Sequence, residues 1–262
     1  MQIRVLGCHG ADCLADTTDR PVRQESCGFL IDDSVLLDAG TVGARLTLAQ
    51  QRRIRFVLLS HLHFDHIKGL PTLADNLAEG FEEPVIIAAT EPVIQGLMDH
   101  VFNNKVYPNF FKLPNRDRPV FHAQVLEPGK TVTLGHVEVT PVPMNHAVPT
   151  VGYVVKNGQT AFLYSGDTYQ TEDIWSLGRT IPELKAAFIE SSFPDELGEL
   201  ARKSKHLTPS LFLQEFRKLG RPDLPVYAYH MKPAFRTQIE QEIRRLGIEQ
   251  AAFLQEGQIV TL

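Results

Sequence analysis

The stretch SHLHFDHIKGL, residues 60–70, holds three histidines and one aspartate within six positions: His61, His63, Asp65 and His66. It directly follows the apolar run FVLLS, which predicts a buried strand, so the motif begins where a strand ends. Imidazole nitrogens and carboxylate oxygens are ligands that zinc, iron and manganese prefer. On an extended turn His61 and His63 point to one side, whereas Asp65 and His66 reach a second position nearby. The spacing therefore predicts two metal ions rather than a histidine-rich surface turn.

Composition limits the classes of protein to which the chain can belong. Its 262 residues and hydrophobic fraction of 43% suit one large α/β unit with a substantial core. The formal net charge of -5 gives no general attraction for nucleic acid, so a nucleic-acid partner is disfavoured. A small anionic substrate would need a locally positive site, which bound metal ions can supply.

The cysteines and the apolar runs indicate the compartment. The chain has three cysteines, an odd number without CxxC spacing, which favours a reducing environment over a disulfide framework. The opening segment MQIRVLG resembles a strand rather than a signal peptide. No run approaches the roughly 20 apolar residues of a membrane span. We therefore expect a cytoplasmic protein with no membrane partner.

The order of strand-like and helical patterns predicts an α+β fold. Helices are expected near residues 72–78, 91–101, 209–219 and 236–246, and the third has Thr208 as its N-cap and Gly220 just past its end. We expect one domain over residues 1–262, in which two sheets pack face to face with helices outside. The expected strands are the runs IRVLG, CGFLI, SVLLDAG, RFVLLS, PVIIAA, HVEVTPV, VGYVVK, TAFLYSG, AAFIES and LPVYAYH, followed by two short strands in the closing AAFLQEGQIVTL.

One segment interrupts this pattern. Residues 102–119, FNNKVYPNFFKLPNRDRP, are rich in aromatic residues, asparagine and proline and have no clear periodicity. A long insertion of this kind is typical of a functional loop, so we expect a lid over a site, with a packed surface loop as the alternative.

Three further ligand-type residues also stand at the ends of predicted strands. His146 lies in PVPMNHAVP, Asp167 in LYSGDT and His230 in VYAYHMKP. Side chains at the ends of strands can converge on one edge of a sandwich. Because the Asp167 carboxylate has two oxygens, it can bridge two cations. The three residues are therefore expected to complete the site that begins at His61.

The order HxHxDH, lone histidine, SGDT and late histidine resembles the ligand series of the metallo-β-lactamase superfamily, and the resemblance spans almost the whole chain. It implies a four-layer αββα sandwich of the metallo-β-lactamase type. It also implies two divalent metal ions bridged by Asp167, with zinc as first choice and iron or manganese as alternatives. The first metal would be held by His61, His63 and His146, and the second by Asp65, His66 and His230.

The last third of the chain is similar to the class II cyclic nucleotide phosphodiesterases. The similar segments are ESS at Glu190–Ser192, HLTP at 206–209 and HMKP at 230–233. The upstream loop also looks like that family's aromatic loop, which implies that Phe102, Tyr107 and Phe110 cradle a purine by stacking. The chain departs from the family at Phe64, where leucine is usual, and at Lys205, where glycine is common, which bears on substrate identity more than on metal chemistry.

The resemblance also suggests roles for residues around the metals. His206 and Thr208 match a His-x-Thr pattern of ribonuclease Z, a sister family, which implies that His206 protonates the leaving oxygen or binds phosphate. Asp65 is expected to orient or deprotonate the nucleophile, and Thr208 and Lys232 to contact the substrate. Carboxylates that fix the histidine tautomers are expected at Asp38 and Glu190.

These features predict a binuclear phosphodiesterase in which metal-bound hydroxide converts a 3′,5′-cyclic nucleotide, cyclic AMP first, to the 5′-monophosphate. The partner is then a small nucleotide, and a homodimer is expected by analogy with the sister families. Three alternatives remain: a hydrolase of another ester, a tRNA 3′-processing endonuclease like ribonuclease Z, or a non-catalytic metal-binding or nucleotide-sensing protein.

Overall fold

The computed structural model describes residues 1–15 and 22–262, which form two seven-stranded sheets and a two-stranded ribbon. The strands in chain order are β1 (Gln2–Gly7), β2 (Cys13–Ala15), β3 (Val22–Gln24), β4 (Gly28–Ile31), β5 (Val35–Leu37), β6 (Phe56–Leu58), β7 (Val85–Ala89), β8 (Phe121–Val125), β9 (Val132–Leu134), β10 (Val137–Pro143), β11 (Val151–Asn157), β12 (Thr160–Tyr164), β13 (Leu184–Glu190), β14 (Val226–Tyr229), β15 (Ala251–Phe253) and β16 (Ile259–Thr261).

The two sheets have mixed strand directions. The first has the order β16-β1-β4-β5-β6-β7-β8, and the second β15-β14-β13-β12-β11-β10-β9. From β5 to β8 the strands of the first sheet run parallel, as do β12 to β15 in the second. The two closing strands are present as expected, but they join different sheets and so tie the two halves together.

Every predicted strand is present, but the structure adds β2, β3, β8 and β9, of which β8, with the sequence FHAQV, is the longest. Two of its five residues are polar, and β8 lies at the edge of its sheet, where one side of the strand has no neighbour. An edge strand needs no continuous apolar run, which explains why the pattern was weak.

The four expected helices are confirmed within two residues at each end. The helices are α1 (Leu48–Gln51), α2 (Phe64–Ile67), α3 (Leu70–Ala78), α4 (Glu91–His100), α5 (Asp173–Arg179), α6 (Gly198–Ser204), α7 (Pro209–Lys218) and α8 (Arg236–Arg245). None of the helices in the described part of the chain has the length and apolar character needed to cross a membrane.

Three hydrophobic clusters define four layers. The central cluster lies between the sheets and includes Phe29, Tyr153 and Phe188. A second cluster packs α3 and α4 onto the outer face of the first sheet, and a third packs α5, α7 and α8 onto the outer face of the second. The predicted αββα sandwich is therefore confirmed.

The segment 102–119 contains no helix or strand. Its aromatic residues were expected to be available for stacking on a base, but two of them are buried. Phe102 is fully buried and Phe110 is 6% exposed, and both pack in the cluster beneath α3 and α4. Their rings contact other aromatic residues of that core, including Phe121. Neither ring face is open to a nucleobase, so the predicted stacking role is wrong for these two residues. The role of the segment as a lid stays a prediction.

Candidate metal centre

The seven predicted ligands meet at one edge of the sandwich, beyond the ends of several strands. His61 and His63 follow β6, and the single turn of α2 carries Asp65 and His66 back towards them. The other three lie in the loops after β10, β12 and β14, namely His146, Asp167 and His230. Convergence of strand ends therefore assembles residues that are up to 169 positions apart in the sequence.

Asp167 lies at the centre of the arrangement. Its Oδ2 atom lies 3.6 Å from Nε2 of His61, 3.3 Å from Nε2 of His230 and 4.0 Å from Nε2 of His146. Its Oδ1 atom lies 3.4 Å from Nε2 of His66. The carboxylate thus contacts histidines of both predicted sets, which is the position that a bridging ligand requires.

Contacts also occur within each predicted set, although the His61 and His66 rings, with centroids 4.2 Å apart, join the two sets. In the first, Nε2 of His146 lies 3.2 Å from Nδ1 of His63. In the second, Nε2 of His230 lies 3.2 Å from Nε2 of His66 and 3.4 Å from Oδ2 of Asp65. Candidate ligand atoms in each set lie within 4.8 Å of one another, close enough to surround one ion.

Asp38 fixes two of these imidazoles. Its fully buried carboxylate accepts Nδ1–H of His66 at 2.7 Å and the hydroxyl of Ser60 at 2.8 Å. Because the one hydroxyl proton of Ser60 goes to Asp38, Ser60 Oγ accepts Nδ1–H of His61 at 2.9 Å. Both rings therefore donate Nδ1–H away from the centre and direct Nε2 towards Asp167.

Glu190 repeats this arrangement on the second sheet. Its buried carboxylate accepts Nδ1–H of His206 at 2.7 Å and the hydroxyl of Ser192 at 2.7 Å. The Ser192 oxygen in turn accepts Nδ1–H of His230 at 2.9 Å. The predicted positions of Asp38 and Glu190 behind the histidines are confirmed. The two serines were missed, although Ser60 directly precedes the first ligand in the sequence.

The backbone fixes a further ligand. The Nδ1–H of His146 donates to the carbonyl oxygen of Lys205 at 2.9 Å, so its Nε2 also presents a lone pair to the site. Lys205 adopts a left-handed conformation with φ of 60°, at the end of α6, and its Nζ donates to Asn145. Lys205, which stands where glycine is common in the similar family, therefore holds the His146 loop in place through its carbonyl oxygen and its Nζ.

Buried atoms without partners indicate that cations fit here. Among the described residues, Nε2 of His61 and both carboxylate oxygens of Asp167 are buried and make no hydrogen bond. The tautomer set by Ser60 points a lone pair of His61 at a carboxylate oxygen, an arrangement that a cation would stabilise. Nitrogen and oxygen donors of this kind suit zinc, iron or manganese.

The protonation states also suit metal binding. Burial lowers the pKa of His61, His63 and His146, which keeps these rings neutral. Burial opposes charge on Asp167, but His230 and His66 outweigh it and hold its pKa well below the usual value. The first set therefore offers neutral imidazoles and the centre offers an ionised carboxylate, which are the forms that bind a metal. Burial opposes charge on His66, but Asp167 and Asp38 raise its pKa well above the usual value, so a cation bound there would displace its proton.

A second cluster of ligand-type residues consists of Cys8, His9 and Glu256. Unlike the Asp167 carboxylate, its polar groups are already hydrogen-bonded to the protein. His9 Nδ1–H donates to Glu256 at 2.6 Å, and Arg236 donates to the other ring nitrogen at 3.0 Å. The Cys8 thiol donates to the carbonyl of Leu254, and burial raises its pKa well above the usual value. Each group already has a protein partner, so this cluster is a hydrogen-bonded core contact.

Of the other predicted site residues, His206 and Lys232 lie beside the His230 ring, whereas Tyr107 makes its hydrogen bond elsewhere. His206 is 6% exposed, and its ring stacks on His230 with centroids 5.4 Å apart. Thr208 is buried at the N-cap of α7, and Lys232 donates to the carbonyl of Gly10 at 2.6 Å, beside the His230 ring. Tyr107 instead donates its hydroxyl to Asp75, which raises the pKa of Tyr107 to about 12.

Replacing Asp38 by asparagine should weaken zinc binding by about 10- to 100-fold, the usual effect of losing a carboxylate behind a ligand. Oδ2 of Asp38 accepts from the Ser60 hydroxyl and from His66, and Oδ1 accepts the backbone N–H of Ser60. The NH2 group of an amide would face a donor at either position, so the His66 ring loses its fixed tautomer. Competition with a chromogenic chelator measures the affinity. The exposed Asp223→Asn is the matched control, and equal affinity in both variants would contradict the role of Asp38.

The chain is similar to known proteins in family, in sequence and in fold. A family model described as the beta-lactamase superfamily domain matches residues 33–231. A Yersinia pestis protein named probable 3′,5′-cyclic-nucleotide phosphodiesterase is 28% identical over 230 residues, which cover 79% of this chain and 64% of that protein. A ribonuclease Z of Methanococcus maripaludis is 29% identical over 108 residues, or 40% of this chain and 32% of that protein.

The solved structure of unliganded yeast PDE1 superposes with a TM-score of 0.79 at 19% identity and covers 100% of this chain and 99% of that one. At that identity the likeness concerns the fold. The matched regions span less than two thirds of the length of either curated relative.

Proposed function

This chain belongs to the beta-lactamase superfamily, and on that premise we propose that it is a two-metal phosphodiesterase. The proposed substrate is a 3′,5′-cyclic nucleotide, cyclic AMP first, and the product is the 5′-monophosphate. The observation that carries the proposal is the Asp167 carboxylate between two imidazole sets, with His206 stacked beside one of them. The similarity to a protein named a probable cyclic-nucleotide phosphodiesterase supports the choice of substrate.

Two divalent ions, zinc as first choice, would lower the pKa of a coordinated water towards about 7 and neutralise charge on the phosphate oxygens. His61, His63 and His146 would hold one of them and Asp65, His66 and His230 the other, with Asp167 between. The Asp38 and Glu190 carboxylates keep the rings oriented before substrate arrives, so little reorganisation is needed during reaction.

Asp65 has a second role in the proposal. Burial opposes its charge, but the hydrogen bond from His230 and the charge of His66 lower its pKa, so the carboxylate is ionised. Its side chain is 25% exposed, more than that of Asp167, and so can reach the solvent side of the centre. Asp65 can accept a hydrogen bond from the attacking water and orient it towards phosphorus.

His206 is the proposed proton donor. Burial opposes its charge, but the Glu190 carboxylate outweighs burial and raises its pKa, which favours the protonated ring. In the reaction the attacking water would lose one proton to solvent by way of Asp65 as its oxygen bonds to phosphorus, and the bond from phosphorus to the 3′ oxygen would break. His206 would deliver its Nε2 proton to the 3′ oxygen, while its Nδ1–H remains hydrogen-bonded to Glu190. Thr208 and Lys232 are proposed contacts of the phosphate.

A tRNA 3′-processing nuclease is the second candidate, because part of the chain is similar to ribonuclease Z. The net charge of -5 disfavours a large polyanionic substrate.

The odd cysteine count fits the cytoplasm as the proposed compartment, and a homodimer stays a prediction.

A turnover screen of the zinc-loaded protein distinguishes these functions. The panel contains 3′,5′-cyclic AMP, 3′,5′-cyclic GMP, a 2′,3′-cyclic nucleotide, a lactone, a thioester and a precursor tRNA. We expect 5′-AMP from cyclic AMP, and loss of that product after chelation. Cleavage of the tRNA or of a carboxylic ester without any cyclic-nucleotide turnover would contradict the proposal.

A further inference from the structure

An apolar groove of about 430 Å³ lies on the same edge of the sandwich as the metal centre. Its walls come from three segments: residues 90–92 after β7, 125–128 at the end of β8, and the two ends of the loop that carries His146. Its volume lies within the range of small-molecule pockets in proteins.

The strand register places the groove beside the end of the strand that leads into the metal centre. β6, β7 and β8 are parallel neighbours, with Leu58 opposite Ala88 and Ala89 opposite Val125. Adjacent strands lie about 4.8 Å apart, so the ends of β7 and β8 lie roughly 5 and 10 Å across from the end of β6. That end leads directly into His61. The separation is comparable to that between the phosphate and the base of a nucleotide.

The groove and the metal centre also share a wall. Met144 and Thr150 line the groove and are joined by a backbone hydrogen bond of 2.9 Å, which closes the loop that carries His146 between them. Val151 N–H donates to the carbonyl of Ser60, the residue before His61. A ligand on the loop's outer side therefore lies against the same rigid segment that positions a metal ligand.

The lining chemistry selects a neutral ring. Apolar side chains such as Val125 and Leu126 form most of the wall, and prolines from three segments stiffen it. The charged groups among the lining residues are the carboxylates of Glu91 and Glu127, both exposed at the rim, where Glu127 also pairs with Lys130. The Glu91 carboxylate would repel phosphate and accept a hydrogen bond from a ring or amino N–H group. A purine with its amino group meets both requirements.

We propose that this groove binds the nucleobase of the substrate while the metal centre holds the phosphate. The inference rests on the proposed function and adds where the base lies. It assigns base selection to residues 90–92 and 125–128 instead of the segment 102–119, where the Phe102 and Phe110 rings are buried.

Filling the groove tests the assignment. Val125 is 51% exposed in the groove, and Val106 is 67% exposed in the segment 102–119, so Val125→Trp and Val106→Trp form a matched pair. In the zinc-loaded protein we expect Val125→Trp to raise KM for cyclic AMP by about tenfold or more. Val106→Trp should leave it unchanged. Hydrolysis of methyl 4-nitrophenyl phosphate, which has no base, should be unchanged in both variants.

Binding of the product separates this inference from the proposed function. Calorimetry should show that Val125→Trp weakens the binding of 5′-AMP but not the binding of ribose 5-phosphate. This result does not depend on whether cyclic AMP is turned over. The exposed Glu127→Trp supplies a second filling variant if Val125→Trp unfolds. If the folded groove variant keeps KM and 5′-AMP affinity within about twofold of wild type, or if Val106→Trp has the larger effect, the assignment fails.

Discussion

Replacing Asp167 by asparagine should reduce the zinc content of the protein from two ions to at most one and lower turnover by at least about a thousandfold. Asp167 is the carboxylate that faces histidines of both sets, so its charge offsets two cations at once. Asparagine has the same shape but one neutral oxygen, and its amide group would donate to an imidazole Nε2 instead of binding an ion. Metal analysis after dialysis and initial rates with cyclic AMP measure the two effects.

The exposed Asp173→Asn, six residues further along the chain, is the matched control for the loss of one carboxylate. It should keep both metals and full turnover. If Asp167→Asn retained two ions and more than about a tenth of the wild-type rate, Asp167 would not be the bridging ligand.

Replacing His206 by alanine should leave both metals bound and lower turnover of cyclic AMP by about 10²- to 10⁴-fold, the usual contribution of general acid catalysis. The ring is held by Glu190 and is absent from both proposed ligand sets. An ester of 4-nitrophenol should lose much less activity, because its leaving oxygen needs no proton. Parallel kinetics with the two substrates give the comparison.

The exposed His122→Ala controls for removal of an imidazole. It should change neither rate. Equal losses on both substrates for His206→Ala, or loss of zinc from that variant, would place His206 among the metal ligands or in a purely structural role.

The clustering of the ligand-type residues could be predicted because its signals are local. His61, His146 and His230 each lie within three residues of the end of a strand, and parallel strand ends meet at one edge of a sheet. The carboxylates Asp38 and Glu190 were also recognisable at strand ends. The serines that connect them to His61 and His230 were not, since serine is common in loops and its pattern carries no chemical signal.

The base-binding residues could not be predicted in the same way. Phe102 and Phe110 lie in an aperiodic segment, yet tertiary packing buries them under α3 and α4. Conversely, the groove is built from segments after β7, β8 and β10 that lie far apart in the sequence and have no motif in common. Only the register of the sheet brings these segments together, which is information that local patterns do not contain.

The two carboxylates also explain how the imidazoles are held in place. Asp38 on the first sheet and Glu190 on the second each hold one histidine directly and another through a serine. Each sheet therefore contributes a fixed half of the centre, and Asp167 lies where the halves meet. Rings held in this way lose little conformational freedom when an ion binds.

Anomalous diffraction from crystals of the zinc-loaded protein tests the two-metal centre most directly. We expect two peaks at the zinc edge, one among His61, His63 and His146, the other among Asp65, His66 and His230, with the Asp167 carboxylate between them. A single peak, or peaks located elsewhere such as beside Cys8 and His9, would contradict the account.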